Sequence, residues 1–166
     1  LHYPLRRQRQ MCIRDSYQNN GVLGNSVPQV RLEQAKKTMN KITEAIDNGY
    51  LRACHDLSEG GLAVASAEMA FSSGFGLDLD LGKVSRTKNV CRNDFALFSE
   101  SNSRFLVEVT PKYKDCFEKM MKDVDCAEIG LVTKDAVLSV TGLDGKLALF
   151  SSIDELRRRW KSVLGS

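Results

Sequence analysis

The sequence lacks the marks of several protein classes. It has no apolar run approaching the roughly 20 residues that span a bilayer, and no charged start followed by an apolar stretch and a small-residue cleavage site. The five cysteines are an odd number, without a CxxC pair and without a histidine at zinc-ligand spacing. These absences argue against membrane spans, a disulfide framework and a cysteine-based zinc site. They predict a cytoplasmic protein with reduced thiols.

The sequence also has little net charge outside its first residues. The formal charge of +3 comes entirely from residues 1–16, where four arginines accompany one aspartate, so that residues 17–166 sum to zero. We therefore expect no nucleic-acid partner, and the arginines at 157–159 are predicted to lie on a solvated helix surface. Residues 1–16 show no helical or strand periodicity. We predict a non-native or disordered extension there, followed by one domain over residues 17–166.

Hydrophobic periodicity predicts alternating helices and strands from Val30 onward. Apolar residues spaced three and four apart predict an amphipathic helix from Leu32 to Asn48, which Gly49 ends. A nearly continuous apolar run after Gly61 predicts a helix that is buried on most sides. The predicted strands are YLRAC, LDLDL, RFLVEV, AEIGLV, AVLSVTGL and KLALF, and further helices follow Thr110 and Ser152. The predicted fold class is α/β (α+β), with a mixed β-sheet flanked by helices.

The stretch CHDLSEGG stands between a predicted strand and the predicted buried helix. Its first three residues, Cys54, His55 and Asp56, have the chemistry of a nucleophile, a base and an orienting acid. Neighbouring side chains on a strand point to opposite faces, so these three cannot form a hydrogen-bonded relay. We therefore assign no catalytic residue. His55 is interpreted as a structural histidine and kept as a candidate ligand or interface residue.

The same stretch fits an anion site better. A strand that ends near Cys54 would place a polar turn at the start of a helix. There, free N–H groups can donate hydrogen bonds to a phosphate, and glycines let the phosphate approach the backbone. Ser58, Gly60 and Gly61 are the candidate phosphate-binding residues, and Asp56 is the candidate metal ligand. The alternative is structural: the polar side chains only cap the helix and the glycine pair only forms a tight turn.

Two further groups of polar residues precede or occupy strands. Glu100 and Arg104 belong to a polar turn before RFLVEV, and we interpret them as shaping a ligand or domain interface, with an exposed ion pair as the alternative. Asp78 and Asp80 lie on one side of the LDLDL strand. A metal pair is one interpretation, and the solvated face of an edge strand is the one we favour.

Three separated motifs, taken in order, resemble one enzyme family. GNSVPQVRLEQAKK comes first, HDLSEGGLAVASAEMA second and DFALFSESNSRFLVEV third. Together they resemble the last domain of phosphoribosylformylglycinamidine synthase, over roughly residues 17–166. The pairing of HDxSxGG with LFSES favours this family over aminoimidazole ribonucleotide synthetase, selenophosphate synthetase and the hydrogenase-maturation carbamoyl dehydratase. The resemblance implies the C-terminal domain fold that these proteins share.

The resemblance also implies an activity and its cofactors. The family is an ATP-dependent C–N ligase that converts formylglycinamide ribonucleotide and ammonia, taken from glutamine, to the amidine in purine biosynthesis. In its long form, the Asp and Ser of the matching loop contact Mg²⁺ and the phosphates of an auxiliary nucleotide, ATP or ADP. At the matching positions here these are Asp56 and Ser58, with Gly60 and Gly61 as backbone donors. LFSES is the version of the third motif that resembles the short form of the enzyme.

The resemblance implies partners as well. These are the upstream domains of the same enzyme, a glutaminase subunit, a small bridging subunit and the ribonucleotide substrate. Because the family's ATP-binding domains are absent here, this piece alone is expected to be inactive. Two alternatives remain open: a non-catalytic nucleotide-binding or interaction module with the same fold, and a sister ATP-dependent synthetase.

Overall fold

The computed structural model describes residues 30–86 and 90–164, so the predicted extension over residues 1–16 lies outside the described part. Helices and strands alternate, which confirms the predicted mixed α/β class. Their bounds are α1 Leu32–Asp47, β1 Leu51–Asp56, α2 Gly61–Ser73, β2 Gly76–Asp80, α3 Asn93–Phe98, β3 Phe105–Val109, α4 Lys114–Met120, β4 Gly130–Thr133, β5 Val137–Thr141, β6 Leu147–Ser152 and α5 Ile153–Leu164, with 3-10 turns at Leu81–Lys83 and Pro111–Tyr113. Within these ranges, no helix combines the length and the hydropathy that crossing a membrane requires.

The described residues fall into two compact units. The first contains residues 30–61 together with Glu100–Cys126, and the second contains residues 62–86, 90–99 and 127–164. The predicted sheet is therefore divided: β1 and β3 form a two-stranded sheet in the first unit, and the other four strands form a sheet in the second.

The first unit packs α1 and α4 with its two-stranded sheet. The apolar stripe of α1 buries Ile42 and Ala45, which pack with Phe117 and Met121. This is the arrangement that an amphipathic helix with apolar residues three and four apart requires. The helix has no side-chain cap, because the residue at its N-cap position is Arg31. The core of this unit therefore lies beneath β1 and β3, the strands that lead into and out of the candidate site.

The second unit contains a four-stranded sheet in the order β4-β2-β5-β6. β2 pairs with β5 in parallel, whereas β2 with β4 and β5 with β6 are antiparallel, so the sheet is mixed as expected. Alternation along the strands places Leu79, Leu138 and Val140 in the core, each less than 5% exposed. Helices α2 and α5 are joined by a hydrogen bond of 3.1 Å, which Nε1 of Trp160 on α5 donates to Oε1 of Glu68 on α2.

Two local expectations need correction, and one short helix was not expected. β1 continues to Asp56 and does not end near Cys54, because pairing with β3 extends it. β2 is an interior strand, hydrogen-bonded to β4 and β5, so Asp78 does not lie on an edge strand; its carboxylate is exposed on the open face of the sheet. The short helix α3 was not predicted, since six residues are too few to show a helical period.

Candidate functional site

Pairing of β1 with β3 brings two polar loops side by side. At the end of the ladder Asp56 lies opposite Phe105, so the loop after β1 and the loop before β3 emerge together. We call these loops, together with Asp56 at the end of β1, the loop pair: residues 56–60 and 100–104. A backbone hydrogen bond of 2.9 Å from the Leu57 N–H to the Arg104 carbonyl continues the pairing into the loops. The motif HDLSEGG and the turn from Glu100 to Arg104, separate in sequence, are thus neighbours in the first unit.

A side chain also joins the two loops. The Gly60 N–H donates a hydrogen bond of 3.0 Å to Oε1 of Glu100, forty residues away in sequence. Gly60 and Gly61 have φ values of +73° and +59°, a region that side chains with a Cβ rarely adopt. The Gly61 N–H points back to the Ser58 carbonyl at 3.4 Å. Both backbone donors that were predicted to bind phosphate therefore have internal acceptors in this conformation.

The polar side chains at the end of β1 are more open. The Asp56 carboxylate is 62% exposed and lies 3.8 Å from Nδ1 of His55. That ring nitrogen is also within 2.7 Å of the Asp56 backbone carbonyl. Ser58 is half-buried, and its carbonyl, not its hydroxyl, accepts the bond from the helix start. Asp56 and Ser58 are thus placed with oxygen atoms available to a ligand.

Burial changes the ionisation of the loop pair. It raises the pKa of the Glu100 carboxyl; the Gly60 hydrogen bond opposes that rise, and the nearby Glu59 carboxylate adds to it. Burial likewise lowers the pKa of the Arg104 guanidinium. The preceding residue, Ser103, has a φ of +62°, a strained value for a residue other than glycine. The second loop is therefore a constrained turn whose charged groups are partly removed from water.

The environment of Cys54 does not favour a nucleophile. Burial, and to a smaller extent the Asp56 carboxylate, raises the pKa of its thiol. A reactive cysteine needs the opposite shift, since the thiolate is the attacking species. The geometry of the strand and the ionisation of the thiol therefore both argue against a cysteine-histidine site.

The predicted site residues are largely gathered together. Those that lie in the loop pair or beside it in the first unit are His55, Asp56, Ser58, Gly60, Gly61, Glu100 and Arg104. Asp78 and Asp80 belong to the second unit, where Asp80 accepts a hydrogen bond from the Gly82 N–H. Sequence reasoning missed the Glu100 contact with Gly60. No local pattern could have revealed it, because a contact forty residues apart depends on strand pairing.

The chemistry of the loop pair suits a nucleotide-bound cation better than a free one. Among the described residues, no group of three or more His, Cys, Asp or Glu side chains could hold a metal by itself. Mg²⁺ commonly takes one or two carboxylates, with phosphate oxygens and water completing its six ligands. The exposed Asp56 carboxylate, with the Ser58 hydroxyl two residues later in the chain, supplies oxygen groups of the kind that this role requires. The residues therefore fit a Mg²⁺ that arrives with a nucleotide.

Comparison with solved structures identifies similar folds. PurLQS from Thermotoga maritima matches with a TM-score of 0.68 and 20% identity over 77% of this chain and 22% of the matched chain. Phosphoribosylformylglycinamidine synthase II from T. maritima gives 0.66 and 19% over 74% of this chain and 21% of that one. T. maritima PurL has also been solved with ATP and with FGAR, each matching at 0.66. Escherichia coli HypE, a hydrogenase maturation protein, gives 0.58 and 18%, over 68% and 39% of the two chains.

These identities show a common fold, and the chain spans about a fifth of the PurL chains that it matches. The family comparison is more specific. The model of the family described as AIR synthase related protein, C-terminal domain, matches residues 8–142. That range includes both members of the loop pair and the strands that carry them. The chain therefore belongs to the family of AIR synthase related protein C-terminal domains.

Proposed function

We propose that this chain is a C-terminal domain of a phosphoribosylformylglycinamidine synthase, the ATP-dependent ligase that forms the amidine from formylglycinamide ribonucleotide and ammonia. The observation that carries the proposal is the loop pair: the two motifs of the resemblance, HDLSEGG and SESNSR, meet through the Gly60–Glu100 hydrogen bond. The names of the similar structures, which include PurL with ATP and with FGAR, support it. In the cell this enzyme would be cytoplasmic and would act in purine biosynthesis.

Within that enzyme we assign the loop pair to nucleotide binding. Asp56 would provide a carboxylate oxygen to Mg²⁺, and Ser58 would donate its hydroxyl to a phosphate oxygen. When bound, Mg²⁺ would neutralise phosphate charge and fix the orientation of the nucleotide. Gly60 and Gly61 would present backbone N–H groups at the start of α2, where the helix dipole favours an anion. His55 and Arg104 would border the site, with His55 adjoining the Asp56 carboxylate.

The proposal includes partners outside this chain. The nucleotide-binding domains of the same enzyme would complete the active site, since no catalytic residue is assigned here. A glutaminase subunit would provide ammonia, and a small bridging subunit would join the two. The PurLQS assembly from T. maritima is the similar structure that supports a multi-subunit enzyme.

The proposal is tested by domain replacement. Residues 17–166 would replace the last domain of T. maritima PurL, and ammonia- and ATP-dependent amidine formation would be measured. We expect activity in the chimera and none in a PurL truncated before this domain. A folded but inactive chimera would contradict the proposal. It would favour a sister synthetase of the same fold or a non-catalytic module.

A second candidate is a non-catalytic interaction module with the same fold. One observation favours it: both glycine N–H groups already have internal acceptors, Glu100 and the Ser58 carbonyl. The chimera separates the two candidates, because a module that has lost the reaction would fold without restoring amidine formation.

A further inference from the structure

The carboxylate of Glu100 occupies the backbone donor that a phosphate would use. Its Oε1 lies 3.0 Å from the Gly60 nitrogen, at the turn that opens α2. A carboxylate oxygen and a phosphate oxygen are the same kind of partner for a backbone N–H, an anionic acceptor. An N–H group has one hydrogen, so a close bond to one acceptor leaves little for a second.

Negative charge around the turn also opposes phosphate binding at the Gly60 N–H. Glu59 lies beside the occupied amide, and its carboxylate raises the pKa of Glu100. With Glu100 ionised, an incoming polyphosphate would meet the two like charges of Glu59 and Glu100 at this amide.

We infer that Glu100 is an internal competitor of the phosphate. Its carboxylate closes the Gly60 N–H to phosphate, and phosphate reaches this amide only after the Glu100 side chain has left. The inference rests on the proposed function, since it concerns the same turn. It adds control of access to that site, a role that neither the resemblance nor the likeness of fold assigns to Glu100.

The structure provides a way for Glu100 to leave without unfolding the loops. Glu100 is half-buried, and among the described residues its carboxylate accepts a hydrogen bond from the Gly60 N–H. The loops keep a second connection, the 2.9 Å bond from Leu57 to Arg104, and the paired strands below it. Removal of the Glu100 carboxylate should therefore open the turn and leave the loop pair in place.

The test uses the full 166-residue chain, labelled with ¹⁵N-glycine, and follows the Gly60 amide by NMR. Mg²⁺-ATP and Mg²⁺-pyrophosphate are titrated separately, which distinguishes a nucleotide from a bare phosphate ligand. The variants are Glu100→Ala and the isosteric Glu100→Gln. Glu59→Ala is the matched control, because it removes a neighbouring carboxylate that has no bond to Gly60.

We expect Glu100→Ala to lower the Kd of a probe by about tenfold or more, the equivalent of one charge-assisted hydrogen bond that no longer competes. Glu100→Gln should lower it by a smaller factor, and Glu59→Ala by less than either. If the alanine variant does not fold, the glutamine variant decides. Equal binding by wild type and both Glu100 variants would overturn the competition while leaving the nucleotide site in place. Absence of binding by every variant would overturn the competition and the phosphate role of the turn, while the chimera would still test the ligase assignment.

Discussion

The backbone of the turn that opens α2 gives a quantitative prediction. Gly60 has a φ of +73°, where a residue with a Cβ atom is strained by roughly 1–2 kcal/mol. Gly60→Ala should therefore lower the free energy of unfolding by about 1–2 kcal/mol. At an m-value of about 2 kcal/mol/M, the urea midpoint would fall by about 0.5–1 M. The measurement is urea unfolding of the 166-residue chain, followed by circular dichroism.

Gly49→Ala is the matched control for this change. Gly49 has a similar φ of +69°, and a Cβ atom there would meet no atom within 4 Å. It should cost the same backbone strain without touching the loop pair. Because Gly60 is buried and Gly49 is exposed, Gly60→Ala should lose at least as much stability as Gly49→Ala, and it alone should perturb the nucleotide dependence of the chimera. A Gly60→Ala chain as stable as wild type would refute the left-handed turn on which the site depends.

Further predictions concern the core and the thiol. Leu138→Ala should lower the free energy of unfolding by about 2–5 kcal/mol, because this side chain is 1% exposed in the centre of the sheet. Leu131→Ala, at 66% exposure, should lower it by about 0.5 kcal/mol or less. Thermal unfolding compares the two variants, and equal losses of stability would contradict the difference in burial. The alkylation rate of Cys54, followed by peptide mass spectrometry, should still rise above about pH 8.5, since the raised pKa keeps it a thiol there. A plateau at lower pH would indicate an activated cysteine.

The elements that could be predicted from sequence are those whose evidence is local. The helix α1 was placed almost to the residue, because its apolar stripe repeats over sixteen residues and a glycine follows it. The turn before β3 was also recognised from its polar run. Burial of Leu79 followed from strict alternation in LDLDL. In each case the residues that determine the structure are neighbours in the chain.

The features that could not be predicted depend on distant partners. β1 extends through His55 and Asp56 because Leu106 and Phe105 lie opposite them, and nothing within HDLSEGG indicates that pairing. β2 is an interior strand because β4 and β5 flank it, although both come more than fifty residues later.

The same limit applies to the candidate site. The residue types that bind phosphate and metal can be recognised in HDLSEGG, but the state of their donors cannot. Glu100 occupies the Gly60 N–H only because strand pairing brings its loop to the turn. Residue types thus indicate a candidate site, and tertiary contacts decide whether its backbone donors are free or already hydrogen-bonded.

The central claim is that the loop pair serves the nucleotide of a synthase. The most direct measurement is kcat/KM for ATP in the chimera with Asp56→Asn, compared with Asp125→Asn, a change at another exposed aspartate of the first unit. We expect a fall on the order of tenfold or more for Asp56→Asn, from loss of a metal-binding oxygen, and little change for the control. Equal values for the two variants would contradict the claim and leave HDLSEGG as a structural turn.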